Sequence, residues 1–223
     1  MKKNAFTLAE VLITLGIIGV VAALTMPSLI AKYEKIRTVT QLKKAYSIIN
    51  QAVKLSEIDN GPMEDWEPES YAGGLARPYI DKYWAPYLKV IKTCNNYTEC
   101  GYTAQHPYVW ANGQPSGVTA VSTAFRLPLI TTDGLMYIIG VAGGTGTLSN
   151  DIFIDLNGSR PPNKYGRDFF HFVRVPGKGV LPAGWDLSES EINSNCSKTT
   201  DRGLYCAAKI MQDGWEIKDD YSW

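Results

Sequence analysis

The chain opens on an apolar block and then changes period. From Phe6 to Ile30 it is apolar apart from Glu10, a few threonines and Ser28. A run of about 20 such residues crosses a bilayer as a helix. Lys2 and Lys3 precede it, which favours a cytoplasmic N-terminus. Beyond the block the apolar positions are Tyr33, Ile36, Val39, Leu42, Tyr46, Ile49 and Val53. Steps of three and four mark one face of an amphipathic helix. Lys35, Gln41, Lys43, Lys44 and Asn50 interleave on its polar side. Together the two patterns predict one helix over residues 6–58, with a membrane anchor at about 6–30. It stops before Asp59-Asn60-Gly61-Pro62, a strong breaker. If continuous it would be about 80 Å long at 1.5 Å per residue.

The remainder, 59–223, reads as one globular head. Asp59 to Ser70 is an acidic, proline-bearing loop. Pro78 to Thr93 has helical spacing interrupted by Pro86, so short helices are expected there. Gly101 to Val121 is irregular. Phe125 to Ile130 and Leu135 to Val141 are strands flanking the hairpin turn Thr132-Asp133-Gly134. Gly143-Gly144-Thr145-Gly146 is a further turn, with no Gly-Lys-Ser/Thr to make it a phosphate loop. Ile152 to Leu156 and Phe169 to Val175 alternate as strands do. A short helix is predicted over Cys206–Gln212, stopped by Gly214. A helix followed by an antiparallel sheet of about four strands is an α+β pattern.

Charge and composition narrow the function. Lys+Arg and Asp+Glu balance at 22 each, so nothing suggests a nucleic-acid partner. The only histidines are His106 and His171, and no Gly-x-Ser-x-Gly or HExxH motif occurs. General acid–base chemistry has no recognisable set of residues here, which argues against an enzyme. Four cysteines, Cys94, Cys100, Cys196 and Cys206, allow three pairings. Local pairing, Cys94–Cys100 and Cys196–Cys206, closes the shortest loops. Zinc is the competing use, but it usually takes CxxC or CxxH-type spacing, which neither pair has. Disulfides imply an oxidising compartment.

The apolar block is longer than the core of a cleaved secretory signal, about 7–15 residues. An ordinary transmembrane anchor leaves Glu10 unexplained, since a carboxylate in hydrocarbon costs at least about 2.5 kcal/mol. The stretch Ala5-Phe6-Thr7-Leu8-Ala9-Glu10-Val11-Leu12-Ile13-Thr14-Leu15 resembles the class III signal of type IV prepilins and type II secretion pseudopilins. The resemblance implies cleavage by a prepilin peptidase between Ala5 and Phe6, leaving 1–5 as a leader, and methylation of the new Phe6 amine. Glu10 matches the family's acidic residue and Pro27 its helix proline. The family usually has Gly before the cut, where this chain has Ala5. Inside a filament, Glu10 of one subunit can neutralise the Phe6 amine of a neighbour, because buried charges are tolerated when paired. Small residues at Gly16, Gly19, Ala22 and Ala23 allow close helix approach.

The element order also resembles a pilin head, whose disulfide loop near the C-terminus would correspond to Cys196–Cys206. The implied partners are the prepilin peptidase, other pilin-like subunits, an inner-membrane assembly platform and an assembly ATPase. The implied place is the bacterial inner membrane, single-pass with the head in the periplasm, and then a filament. Charge counting points the other way: Lys32, Lys35, Arg37, Lys43 and Lys44 follow the span and outnumber Lys2 and Lys3. The paired cysteines and the signal outweigh that bias. Two rival functions are a minor tip pilin acting as adhesin or DNA receptor, and a plain membrane-anchored periplasmic protein.

One loop has metal-ligand character. Asp155, Asn157 and Asp168 surround Gly158 and Pro161-Pro162-Asn163. Alternating oxygen ligands followed by a glycine turn suit Ca²⁺, and the loop loosely resembles a calcium loop of major pseudopilin heads. The competing use is an Asx-rich turn that hydrogen-bonds its own amides. Six tryptophans, Trp66, Trp84, Trp110, Trp185, Trp215 and Trp223, could form a sugar- or DNA-contacting surface or simply pack. Asn96-Tyr97-Thr98 is a glycosylation-type sequon, a pattern common by chance.

Overall fold

Helix α1 runs from Leu8 to Asn60 in the computed structural model, which describes residues 7–67, 76–122, 125–141, 149–196, 202–221 and 223. The chain divides into two compact units, Met1–Arg37 and Thr38–Trp223. In the first unit α1 is a helix whose side chains from Thr7 to Ile30 are nowhere buried. In the second it is the spine of the head. There Val39, Leu42, Ala45, Ile49, Ala52, Val53 and Ser56 are buried, the three- and four-residue steps of one helix face. The helix closes on Gly61, whose φ of 78° is the left-handed conformation a helix C-terminus favours. The Met63 amide then donates to Glu57 Oε1 (3.1 Å) and the Trp66 indole to the Gly61 carbonyl (2.9 Å).

Among the described residues, six strands form one antiparallel sheet in sequence order. They are β1 (Val90–Thr93), β2 (Arg126–Thr131), β3 (Met136–Gly140), β4 (Asp151–Asp155), β5 (Phe169–Val175) and β6 (Gly179–Pro182). The expected β2–β3 hairpin forms, with Leu129 opposite Tyr137 and the Gly134 amide bonded to the Thr131 carbonyl at 3.0 Å. Residues alternate between faces, and the two faces have different partners. On one, the Tyr137 hydroxyl donates to the Ala45 carbonyl (3.2 Å) and Phe172 stacks on Tyr46 at 6.0 Å. Asn50 extends this dock to the sheet edge by donating to the Val180 carbonyl and accepting from the Val180 amide, both at 3.0 Å. On the other face, Phe169 lies between Tyr108 (3.8 Å) and Phe153 (5.3 Å). The irregular segment that carries Tyr108 satisfies its backbone by bonding elsewhere: the Val109 amide reaches the Asn163 carbonyl, and the Val109 carbonyl the Tyr165 amide, each at 3.0 Å.

Among the described residues, three short α-helices and a 3-10 turn over Met63–Asp65 complete the head: α2 (Ala76–Tyr83), α3 (Glu189–Asn195) and α4 (Cys206–Gln212). Ser188 caps α3 through a reciprocal box with Glu191. Both local disulfides form, Cys94–Cys100 with Cα atoms 5.6 Å apart and Cys196–Cys206 at 5.0 Å. The second joins the end of α3 to the start of α4. Buried Lys209 donates to Asn193 (2.8 Å) and Asp220 (2.7 Å), tying α4 to α3 and to the C-terminal segment.

Sequence expectation and structure differ at three places. The strand count is six, not four, because β1 and β6 are each only four residues long. The helical reading of Pro78–Thr93 holds to Tyr83, after which Val90–Thr93 pairs as an edge strand with a register shift at Ile91. Helix α3 was not anticipated. The Gly143–Gly146 turn, part of the loop reaching Ser70, and the Ala5–Phe6 junction lie outside the described residues.

The docking of α1 gives a direct stability test. Ile49 is fully buried and Leu55, off the buried face, is 51% exposed. Ile49→Ala is expected to cost about 2–5 kcal/mol; Leu55→Ala should stay within about 0.5 kcal/mol. Urea unfolding in detergent, followed by tryptophan fluorescence, checks both. Equal losses would mean that the inward face is wrongly assigned.

Candidate functional site

The N-terminal segment of α1 carries the most unusual combination of groups. Thr7 is its N-cap. The Glu10 amide donates to Thr7 Oγ1 (3.2 Å), while Glu10 Oε2 accepts from the Thr7 amide and hydroxyl, both at 2.8 Å. This is a capping box, two orphan donors satisfied reciprocally. Sequence reasoning missed it, although the Thr-x-x-Glu spacing was there to be read. After Glu10 the surface is hydrocarbon. Leu12, Leu15, Ile18, Val20, Leu24 and Leu29 are all 60% or more exposed. The remaining hydroxyls fold back: Thr14 on the Val11 carbonyl, Thr25 on Val21 and Ser28 on Thr25. That leaves almost no free polar group along the segment, as a lipid or protein surrounding requires. It is the one helix among the described residues long and apolar enough to cross a membrane. Pro27 sits inside it and cannot donate a backbone hydrogen bond. A Cβ added at Gly16 or Gly19 would meet nothing within 4 Å. No described residue needs those positions small, whereas the close approach of a second helix would.

The structure also brings Asp155, Asn157 and Asp168 together. Asp168 Oδ2 accepts from the Asn157 side-chain amide (3.1 Å) and the Asn163 backbone amide (2.9 Å), and Oδ1 from the Lys164 amide (2.6 Å). Asp155 accepts from the Asn157 amide (3.2 Å) and the Tyr102 hydroxyl (3.1 Å), which also contacts the Tyr108 hydroxyl at 2.6 Å. Sequence spacing gave no hint of Tyr102 as a partner, because it lies 53 residues away. Burial, and then the Asp168 charge, push the Asp155 carboxyl well above its ordinary range; burial raises Asp168 as well. Among the described residues no group of three or more His, Cys, Asp or Glu is arranged to hold a metal ion. The carboxylates are engaged by amides and a phenol, as in an Asx-rich turn. The Oδ1 atoms of Asn157 and Asn163 are buried without a partner. His171 is structural too: its Nε2 pairs with Asp151 Oδ1 at 2.9 Å and its ring stacks on Phe153 at 4.7 Å. Trp66 and Trp84 are fully buried and the other four tryptophans are half-buried, so none offers an open platform. For a turn closed by its own donors, the melting temperature is expected to be indifferent to EDTA. A fall that Ca²⁺ reverses, and that Asp155→Ala abolishes, would instead show a cation bridging the two carboxylates.

Comparison with known proteins bears on the N-terminal segment. Residues 1–26 match the family model of the prokaryotic N-terminal methylation motif. Residues 28–119 match the model described as a family of unknown function (DUF6613). No curated protein and no solved structure matches the chain. The methylation motif covers Glu10 and the exposed apolar helix just described, and an α+β head with a six-stranded antiparallel sheet follows. The chain therefore carries the class III signal of type IV pilin-like proteins.

Proposed function

We propose that this protein is a structural subunit, without catalysis of its own, of a type IV pilus or type II secretion pseudopilus. The observation that carries this reading is the helix from Leu8 to Ile30, exposed on all sides and bearing one carboxylate at its start. Such a surface is stable in hydrocarbon or against other apolar helices. A subunit that moves from membrane to filament exchanges one for the other. In this scheme prepilin peptidase cuts between Ala5 and Phe6 on the cytoplasmic side and methylates Phe6. The subunit stays in the inner membrane with its head in the periplasm until a platform and an ATPase add it to other pilin-like subunits. Gly16 and Gly19 let neighbouring helices approach, and Pro27 softens the segment that must repack. Two local disulfides suit a head exposed to an oxidising compartment.

Glu10 has a double part in this scheme. Alone, the subunit spends Glu10 Oε2 on Thr7. In a filament, water is scarce and pairing counts for more, and the Phe6 amine of a displaced neighbour is the nearest cation. The cap and the ion pair can be separated. Gln at this position keeps a capping box but loses the charge. Breaking a buried pair costs about 3–5 kcal/mol. Glu10→Gln should therefore be cut and membrane-bound like wild type, with its ratio of sheared-filament to membrane-fraction protein down about tenfold or more. An unchanged ratio would reduce Glu10 to a helix cap and remove the main physical support for assembly.

A further inference from the structure

The basic residues just beyond the apolar block have no role in the scheme so far, and they oppose the usual charge bias across a membrane. Three cations, Lys32, Lys35 and Arg37, lie within six positions against one anion, Glu34. Lys32, Tyr33, Ile36 and Arg37 are exposed, Tyr33 by 65% and Ile36 by 57%. Their spacing is specific. Tyr33 and Arg37 are four residues apart, as are Lys32 and Ile36, so each pair stacks along one side of the helix. Each pair joins an apolar or aromatic body to a cation one turn away. That is the composition of a membrane–water interface, where aromatic rings sit at headgroup level and long cationic side chains reach outward.

The helical rise puts them at the right depth. Glu10 and Lys32 are 22 positions apart, about 33 Å along a helix, against a hydrocarbon core about 30 Å thick. With the Glu10 carboxylate at one headgroup layer, Lys32 and Tyr33 reach the other, and Arg37 lies a turn further out. We propose that Lys32, Tyr33 and Arg37 form a collar that binds the headgroup phosphates of anionic phospholipids where α1 leaves the membrane. This rests on the membrane-anchored reading above. The guanidinium of Arg37 can hold a phosphate through two parallel hydrogen bonds, the lysine as a point charge, and the Tyr33 ring fixes the depth. The collar gives the helix a stop against sinking further. It also gives extraction a defined step, since a subunit leaving for the filament exchanges phosphates for whatever anions its neighbours supply.

The test uses the full chain in vesicles of phosphatidylcholine and phosphatidylglycerol in phosphate-free buffer. Carbon-13 at Arg37 Cζ reports on nearby lipid phosphorus by ¹³C–³¹P dipolar dephasing in the solid state. Labelled Ile18 reports on acyl chains through its proton contacts. Expected are strong dephasing at Arg37, its weakening when phosphatidylglycerol is left out, and acyl contacts at Ile18. Lys32→Gln should reduce the phosphatidylglycerol dependence without disturbing Ile18. Acyl contacts at Ile18 with no phosphorus near Arg37 would overturn the collar and leave the anchor standing. Arg37 close to a labelled carboxylate of a second copy, and not to phosphorus, would overturn it in favour of a protein partner. Loss of both signals would overturn the anchor together with the collar.

Discussion

The contact on which the head depends is the burial of one face of α1 against the sheet. From Val39 to Ser56 seven residues turn inward, and the sheet meets them with Tyr137, Phe172 and Val180. A helix of this kind has little stability from propensity alone; packing of an apolar face supplies it. Asn50 shows how tightly the contact is specified. Its amide closes two hydrogen bonds with Val180 on the last strand, so a shift of the helix by one residue would leave buried donors and acceptors unpaired. From Thr7 to Ile30 none of the same helix's residues is buried. One element thus packs along its second stretch and stays unburied along its first, and the proposed assembly would use the first.

The far face of the sheet solves a different problem. A long irregular segment covers it, and irregular backbone is expensive to bury unless its polar groups are paired. Val109 pairs on both sides with the 163–165 stretch, and Tyr102 and Tyr108 bring their hydroxyls to each other and to Asp155. The turn from Asp155 to Asp168 is the hub of this arrangement. Its carboxylates organise amides from Asn157, Asn163 and Lys164, which gives the clustered acidic and amide side chains a structural use.

Much of this was readable from residue order, for identifiable reasons. The inward positions of α1 repeat at helical spacing over many turns, and such long periodic signals survive tertiary context. The β2–β3 hairpin announces itself through Thr132-Asp133-Gly134, and the cysteine pairs through proximity. Helix α4 carries a glycine stop at Gly214. The omissions are equally specific. β1 and β6 are too short to show alternation, and Val90 to Thr93 lies at the end of a run whose spacing up to Tyr83 is helical. α3 has only Ile192 as a buried residue, so no apolar stripe marks it; its sign was the Ser188-to-Glu191 box. The Thr7-to-Glu10 box was overlooked because the acidic residue already had an explanation in the family signal. The role of Tyr102 depends on a contact far along the chain, which no local pattern encodes.

In the proposed scheme Glu10 joins the two levels: it caps a helix start through Thr7 and would offer a charge to a neighbouring subunit. That second use exists only if the leader is removed and a new amine appears at Phe6. Mass spectrometry of the protein purified from membranes of cells that contain a prepilin peptidase tests this most directly. Expected is a chain that begins at Phe6 and carries one added methyl on its amine. A chain that still begins at Met1 or Lys2 would contradict it.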